Sequence, residues 1–115
     1  MPFFNIHTNI LLEDTHKERF LEEALEFVSN ELGKPKTRIV INYIYNQDIL
    51  FGVKRSDLGA LIELKAIGFP SDMKSLAKNL TSFIYEKLEA DMDHIEIEFI
   101  DMPGSHLSIS GNLKG

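Results

Sequence analysis

Pro2 offers the most unusual chemistry in this chain. The sequence begins Met1-Pro2-Phe3-Phe4-Asn5-Ile6-His7-Thr8. An initiator methionine is normally trimmed when a small residue such as proline follows. Pro2 would then carry a free secondary amine. A pocket that lowers the pKa of that amine makes it a base near neutral pH, where an exposed lysine, titrating at about 10.4, is almost fully protonated. A Met-Pro start is also an ordinary way to begin a chain, so the surroundings decide. The other chemistry-bearing residues form no comparable group. His7, His16, His94 and His106 are dispersed, and no pair has metal-ligand spacing on one element. Asp91, Asp93 and His94 read as a solvated loop ahead of a strand, and no metal site is expected. Gly52, Gly68 and Gly104 are isolated and form no phosphate loop. Lys34, Lys36 and Arg38 read as a solvated run. The absence of cysteine excludes disulfides, thiolate metal sites and thiol redox chemistry.

The elements that must position these residues follow one order used twice. Residues 2–8 read as a strand. Residues 13–32 read as a helix, with Phe20, Leu21, Ala24, Leu25, Phe27, Val28 and Leu32 at helical spacing, a cap at Asp14 or Thr15, and a stop at Gly33 and Pro35. Residues 38–45 are too β-branched and aromatic to prefer a helix and read as the next strand. The second half repeats the order: a strand over 60–67, a helix over 71–88 capped by Ser71 or Asp72, and the period-two strand Ile95-Glu96-Ile97-Glu98-Phe99. Residues 46–51 suggest a turn and a short edge strand, and 106–109 another short strand. Each βαβ crossover makes adjacent parallel strands. The fold class is therefore α/β (α+β), two βαβ units joined into a four-stranded mixed sheet with both helices on one face. Apolar strand residues on both faces imply a partner over the uncovered side.

At 115 residues the chain is expected to form one domain, 1–115. A net charge of −6, with no basic run, argues against nonspecific nucleic-acid binding. No secretory signal and no bilayer-spanning apolar run is present, so no membrane is expected and the default location is the cytoplasm.

The start Met1-Pro2 with Thr8-Asn9, then Leu32-Gly33-Lys34-Pro35, Phe51-Gly52, Ile67-Gly68 and Phe99-Ile100-Asp101-Met102, resembles the macrophage migration inhibitory factor (MIF) family of the tautomerase superfamily. Ser110-Gly111-Asn112-Leu113 looks like a degraded form of that family's closing segment. The resemblance spans the whole chain. It implies a homotrimer whose copies cover the open sheet face, export without a signal peptide, and keto–enol tautomerisation of small α-keto acids of the phenylpyruvate type. It implies Pro2 as general base and Lys34 as the group that holds a substrate carboxylate and stabilises enolate charge. Lys34 also has a plain role as a solvated lysine at a helix end, where it favours the macrodipole. Phe3, Ile67 and Leu107 would be apolar walls. No cofactor is needed, because enolisation of an activated carbonyl requires only a base and charge stabilisation.

The chain departs from the family pattern in places that bear on substrate. The family's Cys-x-x-Cys pair is replaced by Gly59-Ala60-Leu61-Ile62. The tyrosine and asparagine that relatives contribute to a neighbour's pocket are replaced by Glu96 and Glu98. Those acids either face solvent or add negative charge beside Pro2 and Lys34. In the second case they raise the amine's pKa and repel an anionic substrate, or one of them acts as a second acid/base group. The aromatic residues at the pocket mouth become Ile109 and Lys114, which weakens binding of aryl substrates. Two other readings stay open. One is a cytokine-like interaction protein with a vestigial site and a protein receptor. The other is a hydration or dehalogenation using Pro2 with a glutamate, for which the arginines Arg19, Arg38 and Arg55 are few.

Overall fold

A computed structural model describes residues 2–115; the removal of Met1 expected from the sequence lies outside the described residues. Strand β1 is Phe3–Thr8, helix α1 Asp14–Leu32, β2 Val40–Tyr45, β3 Ala60–Ala66, α2 Met73–Leu88 and β4 Ile95–Asp101. The strands order as β2-β1-β3-β4. Within each unit they run parallel, β1 with β2 and β3 with β4, and the units meet in the antiparallel β1–β3 pair. This is the expected mixed sheet. Two further short strands, β5 (Ser108–Ile109) and β6 (Asn112–Leu113), pair with each other in the tail.

Both helices lie on one sheet face. Phe4, Ile6, Ala60, Ile62, Leu64 and Ala66 point to that side and are buried against Phe20, Ala24, Val28, Leu76, Leu80 and Ile84. Phe83 joins the helices, stacking on Phe27 at 4.5 Å and lying 6.0 Å from Phe20. Alternation sends the remaining strand residues to the open face. Apolar groups there, including Leu61, Val40 and Ile44, are about two-fifths exposed. Polar groups share the face: Asn42 donates to Asn5 at 2.7 Å, and His7 lies 3.9 Å from Glu63.

The element boundaries differ from expectation where local chemistry intervenes. Glu13, in extended conformation, precedes α1 without any side-chain cap, so neither Asp14 nor Thr15 serves. Pro35 leads into a single 3-10 turn over Lys36–Arg38, and β2 starts at Val40 rather than residue 38. Residues 46–51 form no strand: Asn46 accepts from the Asp48 amide at 2.9 Å and turns the chain. His106 closes the 3-10 turn Gly104–His106, so the short strand expected over 106–109 is only Ser108–Ile109, and the companion strand β6 was not expected. The expected cap of α2 is present. Asp72 accepts from the Ser75 amide at 3.1 Å and its hydroxyl at 2.8 Å, and these bonds hold its carboxyl below the usual range. Among the described residues, no helix is long and apolar enough to cross a membrane.

One buried polar group locks the far end of β1. Thr8 is fully buried; its hydroxyl donates to the Gly59 carbonyl at 2.6 Å and accepts from the Ile10 amide at 3.1 Å. The chain at Gly59 passes so close that an added Cβ would sit 2.6 Å from the Phe51 ring. Thr8→Val leaves both backbone groups without a partner, so we expect a loss of about 2–4 kcal/mol. The urea midpoint should fall at constant m-value, and Thr8→Ser should recover most of it.

Candidate active site

The end of α1 fixes Lys34. Gly33 takes the left-handed conformation, φ 64°, which glycine adopts without a Cβ penalty. The Lys34 amide then donates back to the Ser29 carbonyl at 3.2 Å, and the Ser29 hydroxyl donates to the Lys34 carbonyl at 2.5 Å. This is the helix-ending arrangement that glycine at that position favours. From this anchor the Lys34 side chain, half-buried, reaches back so that Nζ donates to the Ile67 carbonyl at 3.1 Å. Among the described residues no carboxylate pairs with Lys34. Lys36 is already engaged by Glu26, whose carboxyl it holds below the usual range, and Arg38 is exposed; both fit the solvated reading.

Strand register carries Pro2 to the same end of the sheet. Phe3 pairs with Lys65 on one side and Val40 on the other. Pro2, one residue earlier, therefore lies where β3 runs out toward Ile67 and where the Gly33-Lys34-Pro35 turn feeds β2. Pro2 is fully buried and its carbonyl accepts from the Val40 amide at 3.0 Å. Phe3 is half-buried on the open face, and Ile67 is half-buried one residue past the end of β3. Thus the fold places Pro2, Phe3, Lys34 and Ile67 toward one end of the sheet.

The remaining candidates do not join that group within one chain. Glu63 separates Asn5 from Glu98 in one cross-strand row, and Leu61 separates His7 from Glu96 in the next. Glu96 and Glu98 are thus on the open face, exposed, across an intervening strand from β1 and further from Pro2 with each row. Leu107 and Ile109 are half-buried in the tail, which folds back on itself: the Lys114 amide donates to the carbonyls of Leu107 at 3.0 Å and Gly104 at 3.1 Å. Two cavities of the single chain lie elsewhere. One, about 290 Å³, is a helix-side groove including His16, Arg19 and Lys87. The other, about 370 Å³, is on the open face and includes His7, Glu63 and Glu98. Neither is lined by Pro2 or Lys34.

Another constellation was only half visible in the sequence. Asp91 and His94 do sit together, but their companion is Asp57 rather than Asp93. One ligand atom from each of Asp57, Asp91 and His94 lies within 4.8 Å of the others. Asp57 is more than thirty residues away in the chain, and no local spacing announces it.

Comparison with known proteins extends these observations. The sequence matches the family described as Macrophage migration inhibitory factor (MIF) over residues 1–114. It is 32% identical over 117 residues to a macrophage migration inhibitory factor homolog of Brugia malayi, with all of both chains covered. The fold is similar to that of the factor from Trichinella spiralis, with a TM-score of 0.85 at 24% identity over 96% of this chain and 98% of that one. A homologue from Prochlorococcus marinus gives 0.86 at 21% identity, over 98% and 99% of the chains.

Proposed function

Since the chain belongs to the macrophage migration inhibitory factor family of the tautomerase superfamily, we propose that it is a keto–enol tautomerase of small α-keto acids, phenylpyruvate among them, acting as a homotrimer. The observation that carries this reading is the Lys34 geometry: a cation held by the end of α1, with Nζ 3.1 Å from the Ile67 carbonyl, at the end of the sheet where Pro2 leads into β1. With Met1 removed, the Pro2 nitrogen takes a proton from the carbon beside the substrate carbonyl. The electron pair of that C–H bond moves to form the enolate, with charge on its oxygen. Lys34 holds that charge or the neighbouring carboxylate, and the Pro2 ammonium gives a proton up to the oxygen, which completes the enol and restores the free amine. In the reverse direction the Pro2 ammonium protonates the carbon. Burial around Pro2, Phe3 and Ile67 favours the neutral amine.

The open, partly apolar sheet face supports a trimer in which a neighbour's Glu96 and Glu98 reach the pocket, with Leu107 and Ile109 near its mouth. Two carboxylates there disfavour an anionic substrate. Replacing both, Glu96→Tyr with Glu98→Asn, is expected to raise kcat/KM on phenylpyruvate roughly tenfold, chiefly by lowering KM. Sedimentation equilibrium should give three chain masses. Initial rates of enol-to-keto conversion by the purified trimer, measured against buffer, test the activity itself. A monomer at micromolar concentration, or a rate no faster than buffer, overturns the proposal.

A second reading draws on the same two exposed acids and on Ile109 and Lys114. It makes the chain a cytokine-like interaction protein, acting through a protein receptor, with a weak tautomerase site. An undetectable rate together with an intact trimer would favour it.

A further inference from the structure

We propose that Asp57, Asp91 and His94 form a binding site for a divalent metal of the zinc class, which pins the 46–59 segment to the start of β4. The inference does not depend on the tautomerase reading. Thr8, at the far end of β1 from Pro2, pairs with Ala60, which pairs with Ile95. A strand of this length separates the two ends by about 20 Å.

The three donors come from separate pieces of chain, and a hydrogen-bonded frame holds them together. Asn9 donates from Nδ2 to the Asp57 carbonyl at 2.8 Å. The Asp91 amide donates to the Leu58 carbonyl at 2.9 Å, and the His94 amide to the Asp91 carbonyl at 2.9 Å. The His94 ring is partly buried and packs 6.1 Å from the Phe51 ring. At Gly52 a Cβ would come within 3.2 Å of His94 Cε1, so the loop hugs the imidazole. The ring is thereby held with Nε2 3.3 Å from Asp57 Oδ2. Zinc bound at about 2.0–2.2 Å in a tetrahedron spaces its nitrogen and oxygen donors by about 3.4 Å. The His94–Asp57 spacing already suits that geometry, and the exposed Asp91 carboxylate lies within 4.8 Å of both.

Charge and donor type point the same way. Among the described residues, no lysine or arginine forms a salt bridge with Asp57 or Asp91; the side chain beside the Asp57 carboxylate is the His94 ring. Two carboxylates with a neutral imidazole balance a divalent cation. One imidazole nitrogen beside two carboxylate oxygens favours a borderline metal over magnesium or calcium, which take oxygen sets.

The test uses the full-length, metal-free protein and zinc chloride. Calorimetry should give one zinc per chain, saturating well below about 100 µM. In ¹H–¹⁵N spectra the largest zinc-induced shifts should fall in residues 51–59 and 90–95. His94→Gln and Asp57→Asn should each weaken binding by more than the roughly 10- to 100-fold that loss of a mere orienting group costs. His16→Gln and His106→Gln should bind as the parent does. The proposal is overturned by absence of stoichiometric binding, by unchanged binding in His94→Gln, or by shifts centred on another histidine. If His94→Gln fails to fold, the shift map of the unaltered protein decides alone.

Discussion

Pro2→Gly should lower kcat/KM for α-keto acid tautomerisation by about 100-fold, within the range set by loss of a positioned acid–base group. Glycine keeps an amine at the same place in the chain and keeps the carbonyl that accepts from Val40 at 3.0 Å, so β1 should pair as before. What it loses is the ring, which is fully buried and holds the nitrogen in one orientation. The far-UV spectrum and the oligomeric state should be unchanged. The base must be neutral to act, so kcat/KM rises with pH and levels off once the amine is deprotonated. Burial disfavours the ammonium and moves that plateau toward lower pH. A variant within threefold of the parent would remove Pro2 from the chemistry.

The second large effect concerns Lys34. Lys34→Met keeps the half-buried aliphatic stem and removes only the charge and the bond to the Ile67 carbonyl. Loss of one electrostatic contact to a developing oxyanion costs about 10²- to 10³-fold in rate. We expect kcat/KM to fall by that amount with little change in stability. The division of the loss assigns the role. A fall in kcat marks stabilisation of enolate charge, whereas a rise in KM at constant kcat marks binding of the carboxylate alone. Unchanged kinetics would leave Lys34 as a solvated lysine favouring the macrodipole at the end of α1.

The sheet and its two helices were legible because period-two and period-3.6 patterns are local and strong here. Ile95-Glu96-Ile97-Glu98-Phe99 divides as alternation requires: Ile95, Ile97 and Phe99 pack toward the helices, while Glu96 and Glu98 are exposed. Gly33 was legible as a helix stop because few residues tolerate its backbone conformation. The turn at Asn46 was legible and its bond to the Asp48 amide makes it, but the short edge strand expected with it is absent, although the composition there also suits a strand. Asp57 was invisible for a different reason. Its place beside His94 depends on Asn9, Gly59 and Leu58 together, a tertiary frame with no local signature. The placement of Pro2 and Lys34 lay between these cases: the resemblance drew the two residues together, and the register of β1 with β2 and β3 gives the physical reason they lie toward the same end of the sheet.

The central claim is that a free Pro2 amine is the base. Its most direct test compares two otherwise identical proteins, verified by mass spectrometry: one beginning at Pro2, the other carrying one extra residue ahead of it. An amide nitrogen is not basic, so the extended form should fold and assemble normally and lose activity by about 10²- to 10⁴-fold. Equal kcat/KM in the two proteins would contradict the account.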